Sequence, residues 1–154
     1  MDDKEYTDGI EELLVEWVER SRALSKGHGK ARKVKRTVHN IISIVVIFLS
    51  TCAASYTSMT LNEQASGTVV AMLGQTSILA LSITTAVHNF LKLESSAGEH
   101  GEASNAFQQL ANTIDMELSK ARADRMYRAP AFLVIIQNRL ESTSAKAPGL
   151  FVAT

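Results

Sequence analysis

VHNIISIVVIFLSTCAASYTSMTLNEQASGTVVAMLGQTSILALSITTAV, Val38–Val87, is the stretch on which the fold turns. It holds two apolar segments, Ile41 to Met59 and Thr68 to Val87, on either side of a short polar link with Asn62, Glu63 and Gln64. No Asp, Glu, Lys or Arg occurs between Arg36 and Glu63, nor between Glu63 and Lys92. Each interval is long enough, as a helix of about 20 residues, to cross a hydrocarbon core of roughly 30 Å. The stretch therefore predicts a transmembrane hairpin, with spans at about 39–59 and 67–88.

Outward from the hairpin the charge comes in blocks. Met1 to Glu19 carries eight acidic residues against the single Lys4, and Arg20 to Arg36 carries eight basic residues and no acidic one. The formal net charge of zero conceals this arrangement. A mean hydropathy near zero likewise conceals the apolar middle, because polar flanks average against it. The single cysteine, Cys52, falls inside the first apolar segment, so no intrachain disulfide and no cysteine cluster for zinc can form. The first apolar run starts only near residue 38 and is followed by a second, which reads as a retained anchor rather than a signal peptide.

Lys30, Arg32, Lys33, Lys35 and Arg36 sit directly before the first span. Their position suits contact with anionic headgroups, worth about 1 kcal/mol per basic residue near the surface. It also suits the topogenic role of keeping this side in the cytoplasm. Nucleic-acid binding is not expected, since no aromatics interleave the run and it abuts a membrane segment. Six Lys or Arg lie between Lys26 and Arg36, none in the Thr60 to Gly67 link, and Lys92 follows the second span. Both termini are thus expected on the cytoplasmic side, or the equivalent inner side of a virion or organelle membrane.

The spans are not uniform. Ile41 to Leu49 contains eight strongly apolar residues, whereas Ser50 to Ser58 is small and polar, and the second span carries Gln75, Thr76 and Ser77. Helices in lipid associate through close backbone approach, which small residues permit. Ser50, Ala54 and Ser58 form one candidate ridge, and Gly67, Ala71 and Gly74 a matching strip. Gln75 and Ser77 extend the candidate pore or helix-packing set, facing either a seam, other subunits or a hydrated lumen. His39 and His88 close the two antiparallel spans at the same end, as interfacial polar residues or as a metal or proton site.

The flanks read as amphipathic helices. Tyr6, Ile10, Leu13, Leu14, Trp17, Val18, Ser21 and Leu24 recur at spacings of three and four, predicting a helix that is either capped late, at Thr7 or Asp8, or begins at Asp2 or Asp3. Its polar face is rich in Glu rather than Lys or Arg, which favours packing on the C-terminal helices or a neighbouring subunit over lying on a membrane. Gly27 and Gly29 predict a break before the basic run. After Lys92, residues to Glu102 read as a short connection of small and charged residues. A second helix is expected from about Ser104 to Arg128, bearing Ala103, Phe107, Leu110, Ile114 and Leu118 on one face. Pro130 suits the first turn of a third helix with Phe132, Leu133, Ile135, Ile136 and Leu140. From Ser142 the tail reads as a linker ending in an apolar clip at Leu150 to Val152.

The expected architecture is an all-α membrane protein of three parts: residues 1–36, an amphipathic helix and basic linker; 37–91, the hairpin; and 92–154, cytoplasmic helices and tail. No phosphate-binding glycine loop, helical His-Glu-x-x-His, Gly-x-Ser-x-Gly elbow or cysteine pair is present. A non-enzymatic protein with no cofactor and no metal is expected.

The order of parts resembles the SLATT family of two-transmembrane effector domains associated with nucleotide-sensing systems in bacterial conflict. The resemblance rests on Trp17 and Arg22 in the first helix, His28, the hairpin, Phe90-Leu91, His100, the run Ala103-x-x-Ala106-Phe107-x-x-Leu110, and Leu140-Glu141 through Ala147-Pro148. It implies a homo-oligomer in a lipid bilayer that permeabilises the membrane when a cytoplasmic sensor is triggered. The chain departs from that context in carrying no recognisable sensor domain. The competing expectation is a membrane-anchored structural or scaffold protein, of a virion inner membrane or an organelle coat, whose cytoplasmic helices dock a protein partner.

Overall fold

A computed structural model of the chain describes residues 6–61 and 68–150, and these are all-helical. Four α-helices follow in order: α1 Asp8–Leu61, α2 Thr68–Leu91, α3 Leu93–Leu118 and α4 Ala129–Lys146, with a 3-10 turn at Arg122–Asp124 between the last two. The chain divides into two units. One takes in Met1–Lys33 and Ser96–Thr154, the other Val34–Ser95. Helix α1 contributes to both.

The first unit contains the hydrophobic core. Leu14 and Val18 from α1, Leu110, Ala111 and Ile114 from α3, and Ala129, Phe132 and Ile136 from α4 are buried together with Tyr6. Trp17, Ile10, Leu118, Leu133 and Leu140 pack at its edge. The three-and-four spacing on each helix is what brings these residues onto one face. Thr7 starts α1: its carbonyl accepts the amides of Ile10 and Glu11, and its hydroxyl also accepts Ile10 N–H at 3.4 Å.

Four sequence expectations are corrected. The break at Gly27 and Gly29 is absent, and α1 runs through both as one helix of 54 residues. Glycine weakens a helix by roughly 1 kcal/mol, but here its bare face admits a neighbour. A Cβ on Gly27 would lie 3.1 Å from Leu150 Cδ1, and one on Gly29 3.5 Å from the Ser104 hydroxyl. Leu150, the first residue of the expected apolar clip, thus rests on Gly27, while Phe151 and Val152 lie outside the described residues.

The connection expected over residues 92–102 is helical from Leu93. Its small residues are a packing face: Ala97 and Gly101 are buried, and Gly101 admits the side chain of Arg32, which a Cβ would meet at 3.1 Å. The break that does occur is at Lys92, whose φ of 42° is left-handed.

The helix expected to reach Arg128 stops at Leu118. Glu117 turns back and accepts the amides of Met126 at 2.6 Å and Tyr127 at 3.2 Å, which fixes the connection in place of further helix. Finally, α4 extends through Ser142 to Lys146, beyond the point where a linker was expected. It ends where Ala147, before Pro148, turns extended with ψ 135°. Pro130 occupies the first turn of α4, where its missing N–H costs nothing.

In the second unit α1 and α2 meet where Gly74 is buried beneath the ring of Tyr56; a Cβ on Gly74 would fall among the ring carbons. Among the described residues of this unit, Ala53 and Gly74 are the buried ones. The large apolar side chains face outward instead. Ile41, Ile44, Val45, Ile47 and Phe48 on α1, and Met72, Ile78, Leu79, Ile83 and Val87 on α2, are all exposed, Ile44 at 67% and Phe48 at 66%.

Candidate functional site

Two histidine pairs join the helices, one in each unit. His28 on α1 and His100 on α3 face each other with Nδ1 atoms 2.9 Å apart and ring centroids at 5.2 Å. Both rings are buried, at 2% and 1% exposure. His28 also stacks on Phe107, with centroids 5.7 Å apart and planes within 14°. Four residues on from His100, Ser104 exchanges hydrogen bonds with α1: Ser25 Oγ donates to the Ser104 carbonyl and Ser104 Oγ to the Ser25 carbonyl, each at 2.9 Å. Burial holds the His28 pKa below the ordinary histidine value, since the charged ring would lose its hydration.

Much of what carries the family resemblance therefore converges in the first unit. His28, His100 and Phe107 form one contact, and Leu110, Trp17 and Leu140 belong to the adjoining core. Arg22 pairs with Asp115 on α3. The side chains of Phe90 and Leu91 lie outside those described.

In the second unit His39 Nδ1 lies 2.9 Å from His88 Nε2, with ring centroids 4.8 Å apart. The two histidines expected at one end of the spans are thus in direct contact. Among the described residues no group of three or more His, Cys, Asp or Glu could hold a metal. Beside the pair, Ser43, Val46, Ile47, Thr85 and His88 line a small cavity of about 200 Å³.

The candidate pore and packing residues fall in different settings. Ser50 is half-buried and Ala54 exposed, while the neighbouring Ala53 is the buried one; the face toward α2 follows Ala53 and Tyr56. Gly74 lies in the seam, Gln75 is exposed and Ser77 is half-buried. The side chains of Ser58 and Ala71, and Gly67 altogether, lie outside the description. Many hydroxyls in both apolar segments donate to the carbonyl four residues back: Ser43 to His39, Ser50 to Val46, Thr51 to Ile47, Thr76 to Met72, Ser82 to Ile78 and Thr84 to Ala80. Such bonds satisfy a hydroxyl within its own helix, so these residues can face lipid without water. Gln75, with a longer amide, is a different case.

The basic run lies within α1 and so surrounds a helix. Lys30, Arg32, Lys33 and Arg36 are exposed and Lys35 is half-buried. Sequence reasoning missed a second charged feature, between the α1 start and the α3–α4 connection. Glu11 accepts Arg122 Nε at 2.8 Å and Arg125 Nη1 at 2.7 Å, and Arg122 also pairs with Asp8. Arg125 is buried and lies 4.1 Å over the Tyr6 ring. These hydrogen bonds, first from Arg122 and then from Arg125, hold the Glu11 carboxyl down at about 2. The contacts span more than a hundred residues, and no local spacing announces them.

No family model, curated protein or solved structure matches the chain.

Proposed function

We propose that the chain is a non-enzymatic integral membrane protein whose α1–α2 hairpin spans a bilayer, oligomerises, and permeabilises it. The observation that carries the reading is the outward apolar belt of the second unit. Ten large aliphatic or aromatic side chains from Ile41 to Val87 are exposed in a unit whose described residues bury little besides Ala53 and Gly74. Water does not tolerate a continuous apolar surface of that kind, and a bilayer does. Among the described residues α1 is the one helix long and apolar enough to cross by length and composition. Helix α2, 24 residues without Asp, Glu, Lys or Arg, rises about 36 Å and pairs with it.

The basic turns before the first span favour an arrangement with both ends of the hairpin on the inner side, against anionic headgroups. Gln75, exposed on α2 while the neighbouring Thr76 hydroxyl donates to the Met72 carbonyl, is the group that gains most from a neighbouring subunit or a hydrated lumen. The resemblance to the SLATT family points the same way.

Planar-bilayer recording of the purified, inserted oligomer tests the reading. Conductance is expected, with a reduced or altered unitary current in Gln75→Leu. Silent membranes holding verified oligomer would remove the pore and leave the anchored scaffold, which a stoichiometric partner copurifying after mild solubilisation would identify.

A further inference from the structure

We propose that α1 pairs with the α1 of a second copy, antiparallel, through a line of opposite charges on its outward face. That line lies wholly within the first unit, so the proposal goes beyond the membrane reading and stands whether or not the hairpin conducts.

Because α1 does not break at Gly27 or Gly29, the acidic and basic blocks of the sequence share one helix. Leu14, Val18, Ser21, Ser25 and His28 turn one face of it inward. On the opposite face stand Glu12, Glu16 and Glu19, then Ala23, then Lys26, Lys30 and Lys33, all exposed. Their spacing alternates four and three, which keeps them in one line along the helix, as in the seam of a coiled coil.

Within one chain this line works against itself. Glu16 stands four residues from Glu12 and three from Glu19, and Lys30 four from Lys26 and three from Lys33. Like charges at those spacings face each other on a helix and repel. Among the described residues none of the six takes part in an ion pair, whereas the adjacent Arg22 is compensated by Asp115 on α3.

A second copy turned end for end converts the repulsion into attraction. About a twofold axis near Ala23, Glu12 comes opposite Lys33, Glu16 opposite Lys30 and Glu19 opposite Lys26, and symmetry makes each pair twice. Ala23, at the axis, is small enough to let the two helices approach. A parallel partner would set like charge against like. An anionic bilayer surface would satisfy the three lysines and repel the three glutamates, but a second copy satisfies both halves. Exposed ion pairs are individually weak and screened by salt, so the contact is reversible and acts where copies are already concentrated.

Disulfide crosslinking of the full chain in mild-detergent micelles, in a Cys52→Ser background, reads the contact. Ala23→Cys places one thiol at the axis, and Asn105→Cys, exposed on α3, is the control. At low ionic strength Ala23→Cys is expected to form linked dimer about tenfold faster than the control, which corresponds to six exposed pairs at the low end of their usual range. This lead is expected to vanish near about 0.5 M salt. Two block variants carry Ala23→Cys as well: Glu12→Lys with Glu16→Lys and Glu19→Lys, and Lys26→Glu with Lys30→Glu and Lys33→Glu. Each is expected to link slowly alone and rapidly when the two are mixed, a pattern that only contact between chains produces. Should a block variant not fold, the salt series on Ala23→Cys decides alone. A rate at Ala23→Cys no greater than at Asn105→Cys, a lead that survives high salt, or folded block variants that do not link when mixed would each overturn the pairing. Binding of the chain to phosphatidylserine vesicles through Lys26, Lys30 and Lys33, with no linkage at Ala23→Cys, would assign the face to lipid and overturn it too.

Discussion

Glu11 shows how one side chain ties distant parts of the first unit together. Its carboxylate receives hydrogen bonds from Arg122 and Arg125, residues more than a hundred positions away, and is held down at about 2 against an ordinary 4.5. A depressed carboxyl contributes stability that is complete above 4.5 and disappears as pH falls toward 2. Glu11→Gln is therefore expected to lower the thermal midpoint near neutral pH by roughly 2–8 °C, the shift that about 1 kcal/mol makes in small domains. The half-exposed Arg122 places the effect toward the lower end, because solvent screens its part of the network. Thermal unfolding at pH 7 and at pH 2.5 checks this: the gap between wild type and variant should narrow strongly in acid. A gap that persists would show that packing rather than charge accounts for Glu11. Arg125 depends on the same carboxylate. It is buried with its Nε unpartnered, so Arg125→Ala leaves Glu11 less compensated and should cost more than the loss of the exposed Arg22–Asp115 pair.

At the scale of elements, glycine decides between two structures with nearly the same composition. Gly98 has nothing within 4 Å of where a Cβ would stand. Because residues 93–102 are helical, Gly98→Ala should stabilise the unit by about 0.5–1 kcal/mol, measured by chemical unfolding; a non-helical connection would gain no such helix-propensity term. Gly74 predicts the opposite sign. A side chain there displaces Tyr56, so Gly74→Leu should separate α1 from α2, at a cost of about 1–3 kcal/mol typical of overpacking. Crosslinking across the seam reports it. These positions also show what the sequence could and could not disclose. Apolar spacing predicted each core helix, because the pattern of Leu14, Val18, Leu110, Ile114, Phe132 and Ile136 is local. Gly27, Gly29 and Gly101 were misread as breaks or linker, because their role depends on Leu150, Ser104 and Arg32 arriving from elsewhere in the chain. The His39–His88 contact was half legible, since the charge-free intervals place both residues at one end of the hairpin. His28–His100 was not: the two stood out in the family pattern, but nothing in their spacing says that they touch.

For the whole molecule, the division into two units sets the experiment. The first unit has a buried apolar core around Leu14, Ile114 and Phe132, whereas the second exposes Ile44, Phe48, Met72 and Leu79 as a belt that water does not favour. A hairpin in a bilayer makes a specific demand on topology. Residues on both flanks must share one side, and the link between the spans must lie on the other. Cys52 is the sole native cysteine, so a Cys52→Ser background allows single cysteine reporters at Asn105, exposed in the α3 part of the first unit, and at Gln64, in the link. In sealed vesicles a membrane-impermeant maleimide should label one reporter from outside and the other only after permeabilisation. Equal labelling of both without permeabilisation would mean that the hairpin does not cross, and the apolar belt would then need another copy of the chain to cover it. Replacing Lys33 and Arg36 by Glu separates the two roles of the basic turns. If they set orientation, the Gln64 and Asn105 patterns should exchange in part of the population; if they serve headgroup contact, the pattern should hold while binding of the flank to anionic vesicles weakens by about 1 kcal/mol for each charge removed.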